Sequence, residues 1–145
     1  MHNIRSRENV GSIFRTADGA GISKLYLCGI TPRPPHEKIS KTALGAENAV
    51  PWEYHRQTWR LIEQLKKEGY RMIALEKTKG AKDIFELKPE FPVAVIIGNE
   101  VDGLPEELLR RSDKTIAIPM YGRKESLNVA VAFGIAAYVI RERGR

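Results

Sequence analysis

Val93-Ala94-Val95-Ile96-Ile97 is an unbroken apolar run, closed at once by Gly98. A strand with one face in water alternates apolar and polar residues, whereas an unbroken run marks a strand covered on both faces, as in parallel sheets. Arg71 to Leu75 reads as a strand, and Thr115 to Ile118 as another buried one, closed by Pro119. Lys24 to Gly29 reads as an earlier strand and Val50 to Tyr54 as a short one. Helical patterns lie between them. Thr58 to Glu68 sets Trp59, Ile62 and Leu65 on one stripe, with Gly69 just past the end. Asn9 is placed to cap a helix carrying Ile13, Phe14 and Ala17, which Gly19 and Gly21 stop. Residues 37–46 read as a short helix, and Pro105 opens another through Arg110. The last helix starts near Ser126 and runs to about Arg141. It is apolar on almost every side, so it needs more than one covering neighbour, and a second subunit is a candidate. Alternating strands and helices predict an α/β fold, a mostly parallel sheet flanked by helices on both faces.

The chain has 145 residues, enough for a single domain over 1–145. Lys and Arg total 24 against 18 Asp and Glu, a net charge of +6 that favours a polyanionic partner. Cys28 is the only cysteine, which excludes an intramolecular disulfide and a cysteine-based zinc cluster. His2, His36 and His55 lack metal-ligand spacing, so no metal is expected. There is no signal-like start, and the longest apolar stretch, Val129 to Ile140, is too short to cross a bilayer. These features predict a cytoplasmic, reducing setting and no membrane partner.

Three loops carry the chemistry. Asn3 to Arg15 holds Asn9 and Arg15, which are six apart and face different ways on an ideal helix. Each has a plain alternative, an N-cap for Asn9 and a surface ion pair for Arg15. Gly98-Asn99-Glu100-Val101-Asp102-Gly103 puts the Glu100 carboxylate just past a buried strand, between glycines that allow close backbone approach. Ile118 to Asn128 leads into the last helix, where Ser126 can cap and Asn128 sits in the first turn, an unfavoured place for Asn. Such loops follow strands, where open α/β sheets bind ligands. A P-loop string is absent, Gly19-Ala20-Gly21 ends a helix rather than opening one, and Gly-x-Ser-x-Gly does not occur.

Taken together, Asn9 to Gly21, Ile97 to Leu104 and Ile118 to Ala132 resemble, in order and spacing, the three motifs of the SpoU family within the SPOUT class of RNA methyltransferases. Thr42 to Ala46 resembles a connecting segment of that family. The resemblance implies an RNA (ribose-2′-O-)methyltransferase that uses S-adenosylmethionine on tRNA or rRNA. It also implies a deep C-terminal trefoil knot and a homodimer. Carried over position by position, it implies Asn9, Arg15, Glu100, Ser126 and Asn128 as the catalytic set. It implies Leu75, Gly98, Ile118 and Leu127 around the cofactor. The alternative is a non-catalytic RNA-binding or assembly module that keeps the fold; transfer to a base is a further possibility.

The reaction itself makes demands. A ribose hydroxyl must be held in line with the methyl it attacks and must lose its proton. Negative charge growing on its oxygen needs a stabilising partner. A guanidinium stays protonated, so Arg15 is expected to clamp phosphate and alkoxide rather than act as base. Asn9, Ser126 and Asn128 would orient ribose and Arg15, and Glu100 would hold the Arg15 side or its loop. Arg5, Arg7, Arg33, Lys38, Lys41, Arg123, Lys124, Arg141, Arg143 and Arg145 supply an expected phosphate footprint. The family's first strand is fuller than Met1 to Ile4, so either this strand is very short or the start lies upstream. With no appended domain in 145 residues, substrate choice is expected from the catalytic domain, a dimer partner or another protein.

Overall fold

The computed structural model describes residues 1–145. Six strands and five α-helices follow in the order α1 (Arg7–Ala20), β1 (Leu25–Cys28), α2 (Glu37–Ala43), β2 (Trp52–His55), α3 (Thr58–Lys67), β3 (Arg71–Leu75), β4 (Lys82–Asp83), β5 (Val93–Ile96), α4 (Glu106–Arg111), β6 (Lys114–Ala117) and α5 (Val129–Arg143), with no α-helix between β3, β4 and β5. Every strand pairing is parallel. The α/β class and the helices on both faces are as expected. The two-residue β4 had no signal in the sequence.

The expected single sheet is instead two. β1 pairs only with β2, and the other four strands run in the order β4-β6-β3-β5. Both sheets nevertheless share the same helix layers. On one side Met72 and Ala74 of β3 and Cys28 of β1 pack with Leu61, Ile62 and Leu65 of α3 and Leu108 of α4. On the other side Leu25 and Leu27 of β1 pack on Val10, Ile13 and Phe14 of α1. There Ile73 of β3 meets Ala136 and Ile140 of α5. β5 is correspondingly only half-buried at Val93, Ala94 and Val95, a departure from the fully covered strand its composition predicts. It is an edge strand, and what faces its free edge is a cavity.

Two helix starts also differ from expectation, and both bear on the site. α1 begins one turn earlier, because the Ser6 hydroxyl accepts from the Asn9 backbone N–H at 3.1 Å and is the N-cap. Asn9 therefore lies inside the first turn with its side chain free for other work. α5 begins later, because Asn128 and not Ser126 is its N-cap. The Asn128 Oδ1 accepts from the N–H groups of Ala130 and Val131 at 2.8 and 3.3 Å. That resolves the awkward placement of an Asn in a helix interior. Gly21 ends α1 in the left-handed region at φ 68°. Phe133, Ala136, Ala137 and Ile140 of α5 are buried, while Val131 and Tyr138 stay 52% and 47% exposed, so this chain alone does not cover the helix.

Candidate active site

β3, β5 and β6 end side by side on one shared cavity: Leu75 closes β3, Ile97 and Gly98 follow β5, and Ala117 closes β6 with Ile118 just beyond it. The carboxyl edge of parallel strands is where a ligand finds unpaired backbone groups and diverging loops. The cavity is about 510 Å³. Asn9, Glu100, Ser126 and Asn128 line it, as do Leu75, Gly98, Ile118 and Leu127. Four segments distant in sequence thus line one cavity.

The polar side chains form a chain of contacts. The Glu100 carboxylate accepts from the Arg5 N–H at 2.9 Å, the Ser6 N–H at 2.9 Å and the Asn9 Nδ2 at 3.4 Å. The Asn9 Oδ1 accepts from the Asn128 Nδ2 at 3.1 Å. Glu100 therefore ties the second motif to the start of α1, and Asn9 passes the link on to the start of α5. Partial burial works against the Glu100 charge, but hydrogen bonds from the N–H groups of Arg5, Ser6 and Glu100 itself and from the Asn9 side chain together outweigh it and hold the carboxyl below its ordinary value. Glu100 does not hold Arg15, as one reading of the sequence had it; its partners are the backbone ahead of α1.

A carboxyl with a depressed folded pKa stabilises the fold above its unfolded pKa, and that stability is lost as pH falls through the folded one. In Glu100→Gln this acid-side contribution disappears. Denaturant midpoints for the variant should therefore fall less between neutral and acidic pH than those of the parent. An identical pH dependence in both proteins would refute the assigned link. Asn128→Ala removes the cap of α5 and should cost about 1 kcal/mol, a fall in Tm of about 3–5 °C. Ser126→Ala, which removes no bond, should leave Tm unchanged.

The Gly98–Gly103 loop is held from within. Asn99 Oδ1 accepts from the N–H groups of Val101 and Asp102, and Asn99 Nδ2 donates to the Asn3 carbonyl at 2.8 Å. A Cβ on Gly98 would lie 2.7 Å from the Gly103 carbonyl carbon, so the loop closes only over glycine. Glu76 also lines the cavity and accepts from the Leu104 N–H at 2.8 Å. Sequence reasoning passed over Glu76 and Asn99. Glu76 carried the same signal as Glu100, an acid directly beyond an apolar strand.

Arg15 is the exception among the expected residues. It is exposed, forms no salt bridge and does not line the cavity. Its six-residue offset from Asn9 turns it to another side of α1. Ser126 is at the cavity with an unengaged hydroxyl. Around the rim, Arg5, Arg7, Arg123 and Lys124 are exposed and free of salt bridges, whereas Lys41 pairs with Glu37 and Arg145 with Glu142. The Arg33 guanidinium carbon sits over the Tyr54 ring, 4.0 Å from its centre.

Several known proteins are similar to this chain in sequence and fold. The family model described as the SpoU rRNA Methylase family matches residues 1–138. A tRNA (guanosine(18)-2′-O)-methyltransferase of Escherichia coli K12 is 30% identical over 95% of this chain and 59% of its own length. The 23S rRNA (guanosine(2553)-2′-O)-methyltransferase RlmP of Bacillus subtilis is 34% identical over 95% of this chain and 55% of its own. The chain thus spans little more than half the length of these curated relatives. The AdoMet-bound rRNA methyltransferase from Sinorhizobium meliloti superposes with a TM-score of 0.90 at 34% identity, covering 96% of this chain and 53% of that one. A structure described as giving insight into 2-OH methylation of C/U34 on tRNA has a TM-score of 0.85 at 30% identity. It covers 98% of this chain and 91% of that one.

Proposed function

The chain belongs to the SpoU rRNA methylase family, and from that premise we propose that it transfers a methyl group from S-adenosylmethionine to a ribose 2′-hydroxyl of tRNA or rRNA. The observation that carries the reading is the convergence of Asn9, Glu100, Ser126 and Asn128 with Leu75, Gly98, Ile118 and Leu127 on one cavity at the carboxyl ends of three parallel strands.

The residues fit such a cofactor. A cavity of about 510 Å³ lies within the usual range for small-molecule sites, about 300–1,000 Å³. Leu75, Ile97, Ile118, Met120 and Leu127 offer apolar surface, and Asn9, Ser126 and Asn128 offer polar groups along one rim. Leu75, Gly98, Ile118 and Leu127 would hold the cofactor. Bound there, S-adenosylmethionine supplies an electrophilic methyl on a positively charged sulfur.

The chain's own residues have the remaining work. Asn9 and Asn128, fixed against each other and against Glu100, present a preset hydrogen-bonding edge. Each still has an amide hydrogen to offer a ribose. Ser126 adds an uncommitted hydroxyl. The start of α5 opens on the same cavity at Val129, so the positive end of the helix dipole favours negative charge growing on a bound oxygen. Arg15 acts as the clamp on phosphate and alkoxide. Its guanidinium meets no carboxylate, and its charge cannot be lost near neutral pH. Exposed Arg5, Arg7, Arg123 and Lys124 grip RNA phosphates without reading sequence.

Family membership also supports a knotted C-terminal part, one methyltransferase domain over 1–145, and a homodimer that covers Val131 and Tyr138 of α5. The cytoplasmic setting stays part of the same reading; no helix is long and apolar enough to cross a membrane. Titration calorimetry with S-adenosylmethionine, followed by labelled methyl transfer to bulk tRNA and rRNA, tests the function. Binding with transfer supports it. No binding at millimolar cofactor sinks it, and binding to RNA without transfer points to the non-catalytic module instead.

A further inference from the structure

The loop between β6 and α5 departs from the rest of the molecule. Residues 121–128 are exposed, eight in succession. Asn128 is fixed as the cap of α5, but no loop or turn backbone hydrogen bond involves residues 121–127. Both ends of this loop belong to the candidate active site. Ile118 and Met120 line its cavity ahead of Tyr121, and Glu125, Ser126, Leu127 and Asn128 line it afterwards. Residues 121–124 do not, so they form a bow that leaves the cavity and returns to it.

Tyr121 opens that bow and is 91% exposed, more than any other large hydrophobic side chain in the chain. Its ring pairs with no other aromatic ring and with no cation of the chain. Single apolar side chains on a surface need no explanation. Three features set this one apart. It stands where the loop leaves the cavity. Arg123 and Lys124 follow within three residues, both exposed and free of salt bridges. Val101, 77% exposed, brings a second bare apolar side chain to the same cavity from the Gly98–Gly103 loop. A Cβ on Gly122 would meet nothing within 4 Å, so the chain leaves the space beside the bow open.

A bare planar ring beside unpaired cations is what unstacked nucleic acid needs. The cations hold phosphates, and the ring takes the face of a base. Ribose chemistry sharpens the need. The hydroxyl must come within about 3 Å of a methyl held in a cavity, which favours a nucleotide drawn out of its stack. A base drawn out forfeits its stacking, and an exposed ring at the cavity mouth restores it.

We propose that Tyr121 is the stacking platform for the base of the nucleotide whose ribose enters the cavity, with Arg123 and Lys124 on the adjoining phosphates. This role rests on the RNA methyltransferase reading above and adds a residue that holds the substrate. Every base has a face to stack, so Tyr121 contributes affinity and placement without choosing the base. The ring carries the role and the phenol hydroxyl does not.

Filter binding of unfractionated tRNA and rRNA, beside calorimetry with S-adenosylmethionine, tests this on the full chain. Tyr121→Ala should weaken RNA binding about tenfold to a hundredfold. Its cofactor affinity should stay within about twofold of the parent's. Tyr121→Phe and Tyr121→Trp keep a ring and should bind RNA within about twofold of the parent. Salt separates ring from charge. Arg123→Ala should lower the slope of log affinity against log salt by about one, whereas Tyr121→Ala should leave that slope unchanged. RNA binding by Tyr121→Ala equal to the parent's would overturn the proposal. So would Tyr121→Phe binding as weakly as Tyr121→Ala, which would assign the role to the hydroxyl. A parallel loss of cofactor affinity would overturn it too, by making the ring a cover for the cofactor. The methyltransferase reading fails separately: a parent that binds RNA through Tyr121 but transfers no methyl leaves the stacking site standing.

Discussion

Arg15→Ala should lower methyl transfer to RNA by about 10²–10³-fold while S-adenosylmethionine affinity stays within about twofold. Removing one preorganised group that stabilises charge in the transition state costs about that much. The two readouts separate because Arg15 stands outside the cavity that would hold the cofactor. Arg15 is exposed and has no ionic partner, so its loss should leave Tm unchanged as well. Arg15→Lys keeps the charge but not the planar fork, and should recover only part of the rate. Wild-type turnover in Arg15→Ala would remove the residue from the mechanism. A parallel loss of cofactor affinity would mean that it acts on the cavity instead.

Gly11→Ala should suffer for a different reason, a large loss of stability. Gly11 is where α1 crosses α2, and a Cβ there would overlap the Thr42 hydroxyl and the Ile39 carbonyl oxygen. Thr42 is already fixed by donating to the Glu8 carbonyl at 2.8 Å. The Ile39 oxygen is backbone and cannot rotate away. Overpacking a rigid contact of this kind costs about 3 kcal/mol, a fall in Tm of about 10 °C. Gly80→Ala is the control, since a Cβ there meets nothing within 4 Å. If thermal melts placed the two variants together, the close helix crossing would have no energetic weight. Because Asn9 and Glu8 sit on the same helix turn, surviving Gly11→Ala protein should also show weakened cofactor binding.

Much of this was legible in the residues, and the misses have physical causes. β3 lies where its apolar run predicts, because a buried parallel strand has little other reading. The site assembled because loops beyond parallel strands must converge, whatever their spacing in sequence. Helix starts were harder. Ser6 and Asn128 took the capping roles expected of Asn9 and Ser126, and in each case two residues able to cap lie within three positions. Only backbone geometry chooses between them. The division of the sheet was out of reach as well. A strand's sequence says what covers its faces but not what pairs with its edges. The role of Glu100 was half visible: its place beside a buried strand was readable, its backbone partners at Arg5 and Ser6 were not.

The central claim is that the cavity at the ends of β3, β5 and β6 serves transfer of a methyl to ribose. It is tested most directly by incubating the protein with tRNA and rRNA and isotope-labelled S-adenosylmethionine, then digesting the RNA to nucleosides for mass spectrometry. The label should appear in a nucleoside whose sugar fragment is heavier by one methyl and whose base is unchanged. Label on a base fragment, or RNA that stays unlabelled while the protein binds the cofactor, would contradict it.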